Sequence, residues 1–211
     1  MIIQDGAETA VGTAVAQLAS KMGVKTINVI ADETPDADNS LRLLTNLGGD
    51  INVIASQLSS YGFKEITEGI SCKLGLSNVG GRVNADIVRT LSSDASFVIY
   101  NMDANKLELP TEVVSAKKIS ISPFSIADWY PKNSTMARSI MNADIFDMVR
   151  SGALKSLYEE HDLDDFSYAL CRSEDPSTSR KVILRMDFPD RLAEHDAKPD
   201  AEYEVFQASY S

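Results

Sequence analysis

The sequence predicts an α/β protein: a doubly wound, Rossmann-like parallel sheet of about six strands with helices on both faces. Three observations predict it. Short β-branched runs alternate with helical periodicity from Met1 to Arg150, and most of these segments close on glycine or proline. The first strand–loop–helix–strand repeat fills about 30 residues, the size of one βαβ unit. Its loop, Gly6 to Gly12, is made of small residues and leads straight into a helix.

The elements follow in order. Met1–Gln4 is an apolar strand that starts at the first residue. Val11, Val15, Leu18, Ala19 and Met22 recur at helical spacing, and Gly23 ends that helix. Lys25–Ile30 is a strand closed by the turn Ala31–Pro35. Leu41, Leu44 and Leu47 mark a helix stopped by Gly48-Gly49, and Ile51–Ile54 is the third strand. Ser56–Glu65 reads as helical, Cys72–Val79 as a strand ending at Gly80-Gly81, Asn84–Leu91 as a helix and Ser96–Tyr100 as a strand. An irregular stretch containing Pro110 precedes the strand Lys118–Ser122 and the helix Met136–Arg150. Beyond Gly152 the rhythm changes to a short helix, Asp164–Cys171, and a strand, Lys181–Met186. The segment Asp187–Ser211 is rich in acids, with only Arg191 and Lys198 opposing them, and reads as an extended tail.

Composition limits what such a fold does. The 211 residues are 44% hydrophobic and 24% charged, enough apolar material for a real core. A net charge of −11 argues against nucleic acid as a partner and against docking on anionic lipid. No stretch approaches the roughly 18 apolar residues of a membrane span, and the N-terminus does not read as a signal peptide. Two cysteines, Cys72 and Cys171, make neither a disulfide framework nor a zinc site and are read as free thiols in a reducing compartment.

The loop Gly6-x-x-x-Ala10-x-Gly12 carries the chemistry. Glycines there allow a tight turn and let a diphosphate approach the amides at a helix N-terminus. Alanine replaces the usual middle glycine. Asp5 and Glu8 sit in or beside the loop, where each would oppose a diphosphate by about 1 kcal/mol if partly exposed. The same small residues also serve if helix and strand merely need to pack closely. At the end of the second strand, an acid binds an adenosine ribose and an arginine accommodates a 2′-phosphate. Here Ala31-Asp32 stands at that place: Asp32 either binds the ribose of NAD(H) or opens a solvated turn with Glu33.

Ile3-Gln-Asp-Gly-Ala-Glu-Thr-Ala-Val-Gly12, Thr26–Ile30, Leu76-Ser-Asn-Val-Gly-Gly81 and Ser96–Tyr100 resemble, in order and spacing, the cofactor domain of mitochondrial trans-2-enoyl-CoA (enoyl-thioester) reductases. These form part of the zinc-independent branch of the medium-chain dehydrogenase/reductase superfamily. Leu163–Leu170 and Lys181–Leu184 are similar to that family's closing stretch, so the likeness covers about residues 2–186. It implies NADPH or NADH as cofactor, held by Gly6, Ala7, Ala10, Val11, Gly12, Asp32, Asn78, Gly80, Gly81 and Tyr100. It also implies a mitochondrial location and dimerisation through the last parallel strand, near Lys118–Ser122. The expected organisation is a cofactor domain over 1–152, a closing segment over 153–186 and the acidic tail over 187–211.

Departures from the family pattern point the other way. The family carries an N-terminal catalytic domain with a proton-donating tyrosine, and no counterpart stands in this sequence. Ala31 replaces the arginine that grips a 2′-phosphate in many relatives. Tyr100-Asn101-Met102 replaces a glycine pair, and Phe124-Ser125-Ile126 follows Pro123 where glycine is common. Pro123 would also remove a donor from an edge ladder, which weakens the homodimer and favours a different protein partner.

No residue is assigned as catalytic or as a metal ligand. His161 and His195 lack ligand spacing, Cys72 is read as core, Cys171 beside Arg172 as a bland helix end, and Tyr100 as packing. Tyr158–Asp162 is read as an exposed acidic face. The leading expectation is a non-catalytic accessory or scaffold subunit of a larger assembly. The alternatives are a fragment or split half of an NADPH-dependent trans-2-enoyl-CoA reductase, and a nucleotide-sensing module.

Overall fold

A computed structural model describes residues 1–101, 105–174 and 180–186. Six parallel strands form its main sheet: β1 (Ile2–Gln4), β2 (Thr26–Ile30), β3 (Ile51–Ile54), β4 (Leu74–Ser77), β6 (Ser96–Ile99) and β8 (Ser120–Pro123). Their order across the sheet is β3-β2-β1-β4-β6-β8. The chain therefore winds outward from β1 in one direction, returns, and winds outward in the other. That reversal between β1 and β4 is where a doubly wound sheet opens a crevice at the carboxyl ends of its strands. A two-residue strand β5 (Gly80–Gly81) pairs with β7 (Asn105–Leu107) above that point.

Helices α1 (Ala10–Lys21), α2 (Ala37–Asn46), α3 (Tyr61–Thr67), α4 (Arg82–Thr90) and α5 (Thr111–Lys117) flank the sheet. One core forms around Ile3, Ile27, Val29, Phe63, Ile87, Val88, Leu91 and Phe97. A smaller one joins Ala7, Ala16, Ile30 and Leu44. Because both faces of the sheet are covered, β2 is buried at every residue, polar Thr26 and Asn28 included.

Polar residues are nonetheless built into the sheet. Gln4, Asn28 and Asn52 lie in register on β1, β2 and β3. Gln4 Nε2 donates to Asn28 Oδ1 at 2.8 Å, and Asn28 Nδ2 donates to Asn52 Oδ1 at 2.8 Å.

The structure corrects several expectations. The face of α1 turned to the sheet is Gly12, Thr13, Ala16, Gln17 and Ala19; Val11 and Met22 point outward, 52% and 76% exposed. Small residues won because helix and strand approach too closely for a valine. The segment after Ile54 is a 3-10 turn, Ala55–Ser59, followed by α3, because Ser60 caps the Phe63 amide and restarts the helix. The irregular stretch around Pro110 holds β7 and α5. Two helices follow β8: α6 (Ile126–Lys132), not foreseen from the sequence, and α7 (Thr135–Arg150).

Tyr158–Asp162 is not simply an acidic face. It is β9, paired in parallel with β10 (Lys181–Arg185) and packed near α8 (Phe166–Glu174). Two of its three acids are paired: Glu159 with Arg172 at 2.9 Å and Asp162 with Arg185 at 2.7 Å. His161 packs edge-on against Tyr168, with ring centroids 5.3 Å apart. The chain before β9 is tied back to the main sheet through α1. Gln17 Oε1 accepts from the Lys155 amide at 2.7 Å, and Gln17 Nε2 donates to the Lys155 carbonyl at 3.1 Å. The acidic tail, with His195, lies outside the described residues, as does Met102.

Candidate functional site

The crevice is built from the loops that leave β1, β4 and β6, with the end of β2 at one side. After Gln4 the chain turns through Gly6, whose φ of +57° is left-handed. A Cβ there would also lie 2.6 Å from Asn78 Nδ2. Glycine is thus required twice over, by backbone conformation and by the Asn78 side chain standing above it. Ala7 is fully buried and its amide donates to Val29 O at 3.0 Å, which leaves it no donor for a ligand.

Thr9 starts α1. Its Oγ1 accepts from the Gly12 amide at 3.1 Å and donates to Gly6 O at 2.7 Å, so one hydroxyl both caps the helix and pins the turn. A threonine just ahead of the helical run is the sequence signal for this N-cap. Replacing Thr9 with alanine is expected to lower the unfolding free energy by about 1–2 kcal/mol in urea denaturation, without changing the slope. At Gly12 a Cβ would sit 2.4 Å from Gly6 O and 2.5 Å from Ala7 Cα. The Ala10 and Val11 amides have no acceptor among the described residues. They point out of the N-terminus of a twelve-residue helix, the arrangement that binds a diphosphate. Ala10 in place of glycine leaves this geometry intact.

Asp5 does not face the crevice. It is buried at 1% exposure, where its carboxylate accepts from the amides of Asn78 and Val79, the latter at 3.2 Å, and lies 3.4 Å from Ser77 Oγ. Burial pushes its pKa up to about 6, although those hydrogen bonds pull it back. Asp5 is therefore a clasp that fastens the β1 loop to the β4 loop and fixes Asn78, Gly80 and Gly81 opposite α1. Gly80 and Gly81 adopt φ of +82° and +68°, which turns the chain into α4.

Asp32 and Glu8 both meet the ends of neighbouring strands. Asp32 is exposed at the end of β2 and accepts from the Ser56 amide at 2.9 Å, which ties it to the end of β3. Glu8 reaches across to the same strand end. Its Oε1 accepts from the Ala31 amide at 3.2 Å and from Thr34 Oγ1 at 3.3 Å. Its Oε2 is shut away from solvent and has no hydrogen-bond partner among the described residues. Tyr100, whose amide donates to Ser77 O at 3.0 Å, closes the β6 side. Its hydroxyl is also buried and has no hydrogen-bond partner among the described residues, and burial, then the charges of Asp5 and Glu8, hold it strongly protonated. Asp5 and Glu8 were both suspected of repelling phosphate; only Glu8 is placed to do so.

The remaining candidates lie elsewhere. Cys72 is buried just before β4, and burial pushes its thiol up to about 11, which makes it inert. Cys171 is exposed on α8. Phe124 follows the edge strand β8, and Ser125 precedes α6. No group of three metal-binding side chains occurs among the described residues.

This geometry has known counterparts. No family model matches the sequence. The mitochondrial enoyl-[acyl-carrier-protein] reductase of Dictyostelium discoideum is 33% identical over 186 residues, 87% of this chain and 53% of that protein. Over most of its length the chain is an enoyl-[acyl-carrier-protein]-reductase-like domain. The reductase-like domain spans about half the length of the curated relatives it matches. The mitochondrial 2-enoyl thioester reductase Etr1p/Etr2p heterodimer of Candida tropicalis superposes with a TM-score of 0.71 at 24% identity, over 82% of this chain and 51% of that one. The Etr1p complex with NADP and crotonyl-CoA gives 0.71 at 23%, over the same shares. At such identities these structures establish the fold alone, a doubly wound sheet shared with the Candida reductases.

Proposed function

We propose that this chain supplies the dinucleotide-binding part of an enoyl-thioester reductase, working with a reduced nicotinamide cofactor on trans-2-enoyl thioesters in the mitochondrion. One observation carries the reading: the unpaired Ala10 and Val11 amides open onto the β1/β4 crevice, held there by glycines that a Cβ would push out of place. The orphaned Glu8 Oε2 and Tyr100 hydroxyl are further unmet polar atoms of the kind a bound ligand satisfies. Ala10, Val11, Asn78, Gly80 and Gly81 would hold the diphosphate and the cofactor's reactive end, which would supply the hydride. The mitochondrial compartment and the substrate class rest on the names of the relatives.

The chain itself is the right sample for the test. Calorimetry with reduced dinucleotides should give a Kd in the micromolar range, with hydrogen-exchange protection confined to Gly6–Gly12 and Asn78–Gly81. Absence of both heat and protection would defeat the reading.

A second reading, a non-catalytic accessory subunit, is favoured by the apolar surface after β8. Ile126, Ile140, Phe146 and Tyr168 are 59%, 54%, 66% and 62% exposed, and no side chain of α6 or α7 is buried. Surfaces of that kind are normally covered by another domain or chain. A homodimer, or a heterodimer of the sort described for the Candida reductases, would use it. That reading predicts no crotonyl-CoA-dependent oxidation of the cofactor, with or without partners added.

A further inference from the structure

We propose that the crevice selects an adenine dinucleotide with a free ribose 2′-hydroxyl, NADH over NADPH, and that Glu8 sets the choice. The inference rests on the dinucleotide-binding reading above. In a doubly wound sheet, the groups at the end of the second strand sort a 2′-hydroxyl from a 2′-phosphate. Here two donors at that end, the Ala31 amide and the Thr34 hydroxyl, are already occupied by Glu8 Oε1. A 2′-phosphate would have to displace a carboxylate from them or sit against its negative charge. Glu8 forms no ion pair among the described residues, so that charge is not neutralised from within the chain.

The other oxygen supplies the attractive half. Glu8 Oε2 is an acceptor held beneath the crevice surface with nothing to accept from. A ribose hydroxyl is a donor of the kind this oxygen lacks. The Tyr100 hydroxyl is an unmet donor held protonated in part by the charge of Glu8. A ribose hydroxyl can donate to a carboxylate, whereas a phosphate dianion only accepts. Asp32, which the position in sequence nominated for the ribose, is exposed and engaged with Ser56.

Calorimetry on the full chain with NADH and NADPH, repeated with Glu8→Gln, tests this. The expected result is NADH binding at least tenfold tighter than NADPH. In Glu8→Gln that ratio should fall at least fivefold, because the amide keeps an acceptor on Ala31 but loses the charge. Competition on the unaltered chain by 5′-AMP against 2′,5′-ADP gives the same comparison without a variant, and 5′-AMP should win. NADPH binding as tightly as NADH would overturn the role of Glu8 and leave the dinucleotide-binding reading standing. A preference for NADH that survives Glu8→Gln unchanged would overturn the assignment to Glu8. Failure of both dinucleotides to bind would sink this proposal together with the reading beneath it.

Discussion

Asp5→Asn is expected to make the protein more stable at pH 7 and to flatten its pH dependence between pH 4 and 6. The carboxyl is pushed up to about 6 by burial, whereas in the unfolded chain it titrates near its ordinary value of about 3.9. Between those values the folded state holds a proton that the unfolded state has released. Stability from this group is therefore complete below about pH 4 and is lost as pH rises through 6. The loss amounts to about 3 kcal/mol at most. Asparagine keeps an acceptor for the Asn78 and Val79 amides and turns a donor toward Ser77 Oγ, which already donates to Asn84 Oδ1 at 2.7 Å. Urea midpoints at pH 4 and pH 7 check it. A variant less stable than the parent at pH 7 would mean that the charged clasp outweighs its desolvation.

Gly12→Ala should have the opposite sign and a comparable or greater size. The atoms that an added Cβ would meet, Gly6 O at 2.4 Å and Ala7 Cα at 2.5 Å, belong to the backbone, so no rotamer change relieves the clash. Either α1 backs away from the sheet or the Gly6 turn opens. Overpacking of this kind costs about 3 kcal/mol, and here it also draws the Gly12 carbonyl away from Gln4 Nε2, 2.9 Å distant. A Tm within a degree of the parent's would show that α1 can shift freely. Because the same movement carries the Ala10 and Val11 amides, dinucleotide affinity should fall even where the variant stays folded.

The sheet was legible in the sequence because its signals are local. Ile27 and Val29 declare a strand, and Gly23 and Gly48 declare helix ends, wherever they stand. The alternation of such segments leaves a parallel sheet as the natural arrangement. The face that α1 buries was not legible, because apolar periodicity nominates Val11 and Met22 while close approach to β1 demands Gly12 and Ala16. Strand β9 was hidden by its composition. Glu159, Glu160 and Asp162 look like a solvated run until Arg172 and Arg185 arrive from later in the chain to pair two of them.

The candidate site divides in the same way. The loop residues were legible from their order, since Gly6, Gly12 and the Asn78–Gly81 stretch carry a motif. The functions of the acids were not, because they depend on which way each side chain turns. Asp5 turns inward to the β4 loop, Asp32 sideways to Ser56, and Glu8 across to Ala31. Position along the sequence leaves Asp32 between a ribose ligand and a solvated turn, and the fold ties it to Ser56 while Glu8 reaches Ala31.

The row of amides across β1, β2 and β3 bears on how the sheet knows its alignment. Strands covered on both faces carry apolar residues throughout, so hydrophobic patterning distinguishes poorly between one alignment and the next. Gln4, Asn28 and Asn52 remove that degeneracy. Sliding β2 by a single residue against β1 would set Asn28 against aliphatic neighbours and leave buried amides without partners, at about 1–3 kcal/mol for each. The row thus acts as an index mark, stamped at the three strands whose ends bring Gly6, Ala31 and Ser56 to the same rim. A one-residue slip there would alternate the facing of every side chain along the strand and move Glu8 away from Ala31. In this domain the crevice is kept true by polar groups buried in the sheet behind it.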